Sequence, residues 1–214
     1  MLKSLINTPR ILGSALAALL ITVSAAGQQT GWNVRVGATY LSMADKSDAF
    51  SALSINFPAD AVSVQSKLIP EFDVNYVFNA NWSAHVVLTI PQKHEVKLAG
   101  VGKLGTFYHL PPHFMAVYHF GGTEAFKPYV GAGVNFTLIW NTKLTVANVP
   151  LALEHNSIGL SGQVGFDYDL GNGHYLNVDL KKTALRSDVS AGGSRLTTAK
   201  LDPWIFSVGY GWKF

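Results

Sequence analysis

The segment Trp204-Ile205-Phe206-Ser207-Val208-Gly209-Tyr210-Gly211-Trp212-Lys213-Phe214 alternates from end to end. Trp204, Phe206, Val208, Tyr210, Trp212 and Phe214 share one face, and Ile205, Ser207, Gly209, Gly211 and Lys213 share the other. Successive side chains of a strand point to opposite faces, so a period of two is a strand signal. One face is wholly apolar and rich in aromatics. The span also fits the roughly 9–11 residues with which a tilted strand crosses a bilayer.

Seven upstream segments repeat the pattern. Trp32, Val34, Val36, Ala38 and Tyr40 oppose Asn33, Arg35, Gly37 and Thr39; Leu68, Phe72, Val74, Tyr76 and Phe78 oppose Glu71, Asp73 and Asn75. Further segments run through Trp82–Ile90, Phe114–Phe120, Val130–Trp140, Ile158–Leu170 and Leu176–Thr183. Soluble sandwiches alternate too, but two features point to a membrane. The apolar faces carry aromatics near strand ends (Trp32, Tyr40, Phe78, Trp82, Trp140, Trp204, Trp212, Phe214), as interfacial girdles require. Connections also alternate between short (79–81, 121–127, 171–173) and long (44–63, 92–105, 141–156, 184–200), the pattern of short periplasmic turns and long extracellular loops. The reading is an all-β, eight-stranded antiparallel transmembrane barrel with both termini periplasmic. Closure satisfies every backbone group without water, as hydrocarbon demands.

Composition agrees. Of the 214 residues, 48% are hydrophobic and 14% charged, yet no apolar run beyond the N-terminus is long enough for a helical span. Lys3 and Arg10 precede the apolar run Ile11–Val23, and Ser24-Ala25-Ala26 supplies small residues for cleavage. Residues 1–26 therefore read as a signal peptide and 27–214 as the barrel, an exported Gram-negative outer-membrane protein. Two of the 16 basic residues fall in the leader, leaving 14 against 13 acidic, so no nucleic-acid partner is expected. The chain has no cysteine, which excludes thiol chemistry and disulfide frameworks.

His109-Leu110-Pro111-Pro112, Pro128-Tyr129-Val130-Gly131-Ala132-Gly133-Val134-Asn135, Gly165-Phe166-Asp167-Tyr168 and Leu201-Asp202-Pro203-Trp204, with Phe214 in last place, resemble the outer membrane protein W (OmpW) family. The four motifs follow in order across essentially the whole mature chain. The resemblance implies an eight-stranded barrel with an apolar channel entered from outside, blocked towards the periplasm and with a lateral exit into the membrane. It also implies uptake of small hydrophobic molecules, as in alkane-importing relatives. One position departs: family members often carry Trp before the Gly that opens the sixth strand, where this chain has Ile158 before Gly159.

The alternation itself nominates residues for function. Arg35, Glu71, Asp73, His85, Asp167, Asp179 and Lys213 fall on the inward face of a narrow barrel. Isolated buried charges are costly, so these groups should pair across the lumen as a polar plug; an ion or proton path is the alternative. Leu41, Ile69, Val87, Phe107 and Ile139 also face inward, towards the long-loop end, and the first long loop adds Leu53, Ile55 and Phe57. They read either as the lining of a hydrophobic ligand site or as filler of a narrow core. Pro91, Pro111 and Pro112 cannot donate to a ladder and nominate a weak lateral seam between the third and fourth strands; a bulge or an early strand end is the bland reading.

The aromatic row Tyr210, Trp212, Phe214 reads as an assembly signal for the outer-membrane insertion machinery. Expected partners are outer-membrane lipids and a small hydrophobic ligand. No catalytic, cofactor or metal site is expected: the histidines are scattered, and on one strand His109 and His113 would stand about 13 Å apart.

Overall fold

The computed structural model describes residues 30–52, 55–120 and 125–214. The expected leader, 1–26, and Leu53 of the expected lining lie outside the described residues.

Eight strands form the wall: β1 (Gly31–Ser42), β6 (Lys67–Val77), β7 (Trp82–Thr89), β10 (His113–His119), β11 (Phe126–Val146), β13 (Asn156–Gly171), β14 (His174–Thr183) and β17 (Trp204–Lys213). Each pairs antiparallel with two neighbours, in the order β1-β6-β7-β10-β11-β13-β14-β17, and β17 returns to β1 from Asn33↔Lys213 to Ser42↔Trp204. The ring is closed.

At one end the strands turn sharply; at the other, shorter strands continue the wall. These are β5 (Val62–Val64), β8 (Gln92–Leu98), β9 (Gly102–Leu110), β12 (Val149–Leu153), β15 (Arg186–Ala191) and β16 (Ser194–Lys200). β2 (Lys46–Ser47) pairs with β16, while β3 (Phe50–Ala52) and β4 (Ile55–Phe57) form a separate hairpin. The segments read as long loops are thus largely hairpins. Their alternation is present but polar on the outer face: Lys93 and Lys97 are exposed and Glu95 is half-exposed, while Gln92, His94, Val96 and Leu98 are buried.

Outward faces of the wall are apolar and uncovered, among them Val36, Leu68, Phe114, Val134, Leu160 and Val208. In a soluble protein such a belt would be a large aggregation patch; around a closed barrel it is the lipid-facing surface. Ile158, the position before Gly159, belongs to this belt and is 72% exposed. It does not reach the lumen.

Inside, two glycines make room for large polar side chains. A Cβ on Gly209 would stand 2.9 Å from Arg35 Cδ, and one on Gly211 would stand 2.1 Å from the Tyr175 ring. The inward glycines of the last strand are therefore the space into which the first and seventh strands place Arg35 and Tyr175.

Candidate functional site

Along β11 the inward residues run Tyr129, Asn135, Thr137, Ile139, Leu144, Val146, all buried. The lumen is polar towards the sharp turns and apolar towards the hairpins. β17 repeats the change, with Ser207 buried on the polar side and Ile205 in the apolar cluster.

The polar half is a packed ion-pair network. Arg35, 2% exposed, pairs with Asp73 and lies 3.5 Å from Asp179. Lys181, fully buried, donates to Asp179 at 2.8 Å and lies 3.5 Å from Glu71. Ser207 donates to Glu71 at 3.1 Å, and Asn177 donates to Asp167 at 2.7 Å and to the Tyr129 hydroxyl at 2.9 Å. His85 is buried and bonds Ser83 at 2.9 Å. Two cations thus stand among three carboxylates, Glu71, Asp73 and Asp179, which share them. Lys181 was missed as a plug residue although its inward position follows from the period of β14.

Lys213 needs correction. It pairs with Asp169 at the sharp-turn rim, its side chain one-third exposed, and takes no part in the buried network. The physical reason is its place as the last residue of β17, where a long side chain extends its ammonium to water rather than entering a lumen that Tyr175 already fills.

The apolar half is a chamber of about 40 Å³ walled by Phe107, Ile139, Val96, Leu98, Leu144 and Leu151, with Ser187 and Thr197 among its few polar neighbours. The hairpin β3–β4 closes it: Phe50 lines the chamber, Phe57 packs into the same apolar cluster, and the two rings stack 5.0 Å apart. Leu41 belongs to this cluster. Ile55 does not line it: it shares a strand face with Phe57 two residues on, but near the end of the hairpin its side chain is 52% exposed. Ile69 and Val87 are buried but lie outside the apolar cluster, at the polar level, where Val87 pairs with His113 and Ile69 with Thr39. The correction for both is one of depth, which strand tilt sets and periodicity alone does not show.

The prolines sit at interruptions. Between Val87↔His113 and Gln92↔His109, residues 88–91 and 110–112 have no ladder pairs with each other. Pro91 lies just past the end of the third wall strand, β7, at Thr89, and the chain resumes as β8 at Gln92. On Pro91's other side the β6–β7 ladder stops at Glu71↔Thr89, and the next backbone bond is Gln65 N to Glu95 O at 3.1 Å. Pro70, overlooked in the sequence, lies in that second gap and removes another donor.

Two histidines lie where polar meets apolar. His109 pairs in register with Ile139, and the His94 ring stacks on it at 4.5 Å and 12°. His94 donates from Nδ1 to the carbonyl of Gln65 at 2.7 Å. Burial, with a smaller contribution from Lys67, lowers the His94 pKa to about 4, while the Gln65 bond opposes the shift. A folded-state value below the ordinary one of about 6.5 means that protonation favours the opened hairpin, so this stabilisation is full above pH 6.5 and is lost as the pH falls towards 4. Amide exchange of β8, normalised for intrinsic rate, should therefore speed up across pH 6.5 to 4. His94→Phe should flatten that dependence; an unchanged profile in the variant would assign the effect to another group.

Comparison with known proteins places this architecture. Residues 28–214 match the OmpW family. The chain belongs to the OmpW family. It is 30% identical to outer membrane protein W of Vibrio cholerae over 214 residues, spanning 94% of this chain and 96% of the relative. It is 26% identical to the dibenzothiophene metabolism operon protein PahQ of Pseudomonas aeruginosa, spanning 87% and 90%. Among solved structures, the outer membrane protein OprG of Pseudomonas aeruginosa superposes with a TM-score of 0.74 at 27% identity, covering 86% of this chain and 95% of that one. This OmpW-family chain is thus an outer-membrane barrel seated in a lipid bilayer.

Proposed function

We propose that this OmpW-family barrel is a channel that admits small hydrophobic molecules at its hairpin end and releases them sideways into the membrane. The observation that carries the reading is the change of lumen polarity along β11: an apolar chamber stands on a plug of paired charges. A water-filled porin would be polar throughout. The plug closes the axial route, which leaves the wall, and the interruptions at Pro91, Pro111 and Pro112 are the candidate seam. The name of the relative PahQ, which ties it to dibenzothiophene metabolism, supports a hydrophobic cargo. In this reading the hairpins face outward, both termini face the periplasm, residues 1–26 direct export, and the insertion machinery reads the aromatic row Tyr210, Trp212, Phe214.

One observation favours a second reading, a structural or surface-recognition barrel: at about 40 Å³ the resting chamber has room for only a few waters. Uptake therefore requires the β3–β4 hairpin to lift.

Entry of an uncharged fluorescent tracer into lipid vesicles bearing the barrel separates the two. Ala199→Trp, which fills the chamber, should slow entry about tenfold. Pro91→Val, which restores a donor at the seam, should slow it several-fold with barrel yield unchanged. If both variants match the parent, the channel reading is wrong; an effect of Ala199→Trp alone keeps the chamber and moves the exit.

A further inference from the structure

Behind Phe107, a wall of the chamber, lies hydrogen-bonding capacity that the protein leaves unused. His94 and His109 are essentially sealed from solvent, at 0% and 1% exposure. Among the described residues, Nε2 of His94 and both ring nitrogens of His109 have no hydrogen-bond partner. Buried polar groups without partners are uncommon, and each calls for an explanation.

Tautomer logic says what these nitrogens want. The Gln65 carbonyl can only accept, so Nδ1 of His94 carries the proton and Nε2 of the neutral ring is an acceptor. His109, when neutral, offers one donor and one acceptor. The pair lies on the ligand side of the plug: the His94 ring stacks on Phe107, a chamber wall, at 5.8 Å, and His109 borders a second small cavity of about 10 Å³ with Leu41, Pro111 and His113.

We infer that His94 and His109 form a subsite for a hydroxyl group, so that the preferred cargo is a small uncharged amphiphile, an alcohol or phenol, rather than a pure hydrocarbon. This rests on the uptake reading above. A hydroxyl donates and accepts at once, and so can meet both rings with one group. An alkane meets neither. A carboxylate cannot donate to Nε2 of His94 and would bring an uncompensated charge into an apolar chamber. A lone carbonyl satisfies only a donor. Apolar surfaces supply most of the grip, and one placed polar pair supplies the selectivity. Phe107 sets the distance between the two, because its ring separates the apolar wall from the histidine stack.

The test uses the full barrel in lipid nanodiscs, labelled with ¹⁵N-histidine, and two probes of matched ring size, cyclohexanol and cyclohexane. Cyclohexanol should shift the His94 and His109 ring-nitrogen resonances and bind about tenfold more tightly than cyclohexane, after correction for partition into lipid. His109→Phe should sharply weaken that preference, leaving only the acceptor of His94, while cyclohexane still binds. His109→Gln, which keeps a donor and an acceptor, should retain most of it and controls for folding. If both probes bind equally and the histidine resonances stay still, the hydroxyl subsite is wrong while hydrophobic uptake stands. If neither probe enters the chamber, the uptake reading fails and takes the subsite with it.

Discussion

Arg35→Met will destabilise the barrel by about 3–5 kcal/mol, the range seen when one partner of a buried ion pair is removed. Arg35 lies between Asp73 and Asp179 at the core of the plug, and all three side chains are essentially sealed from water. Asp179 keeps Lys181 after the substitution. Asp73 does not: Arg35 is its ion-pair partner among the described residues, and its carboxylate would be left charged and alone. The loss is read as a lower urea midpoint for unfolding from phospholipid vesicles, followed by tryptophan fluorescence. Adding Asp73→Asn to Arg35→Met should recover more than half of it, because the orphaned charge, rather than the missing guanidinium packing, dominates. A single variant within about 0.5 kcal/mol of the parent would show that the network does not hold Asp73 as a charge.

Phe214→Ser will reduce the barrel recovered from outer membranes several-fold while leaving its stability nearly unchanged. The side chain is 44% exposed on the outer face, so its loss opens no cavity, and the backbone bond from Phe214 N to Trp32 O at 2.9 Å survives the change. Surface substitutions of this kind usually move stability by less than about 0.5 kcal/mol. A large effect on yield in cells, with normal refolding of the purified chain into vesicles, would therefore report on recognition during assembly. Equal yield in cells, or a matching loss in vesicles, would remove the assembly role of the aromatic row.

The wall was legible because lipid imposes a strict rule: outward residues along the hydrocarbon span of a crossing strand are apolar, so a period of two stands out in all eight segments. Arg35, Glu71, Asp73, His85 and Asp179 fell inside by the same rule. What periodicity does not carry is height. Ile69 and Val87 face inward, but strand tilt puts them beside polar neighbours rather than on the chamber. Lys213 was misplaced because alternation ignores what a long side chain can reach at a strand's end. The hairpins were read as loops because water, not lipid, meets the outer faces of β8 and β15, and charged residues there hide the alternation that Gln92, His94, Val96 and Leu98 still keep. His94 and His109 form a stack only because β8 and β9 pair in one register, and no spacing in the sequence announces it.

The pairing of β1 with β17 joins the earliest and latest strands of the wall. Every other seam links neighbours in sequence, but this one waits for the whole sheet. Bringing such distant segments together carries a loop-closure entropy of order 4–5 kcal/mol, recovered only when the final ladder forms. Until then an open sheet presents two free edges, and hydrocarbon offers no partner for their N–H and C=O groups. No half-built barrel is therefore a stable resident of the bilayer. Seven strands are worth little without the eighth, which makes closure a nearly all-or-none event and puts the vulnerable stage of this protein's life before the membrane seals around it.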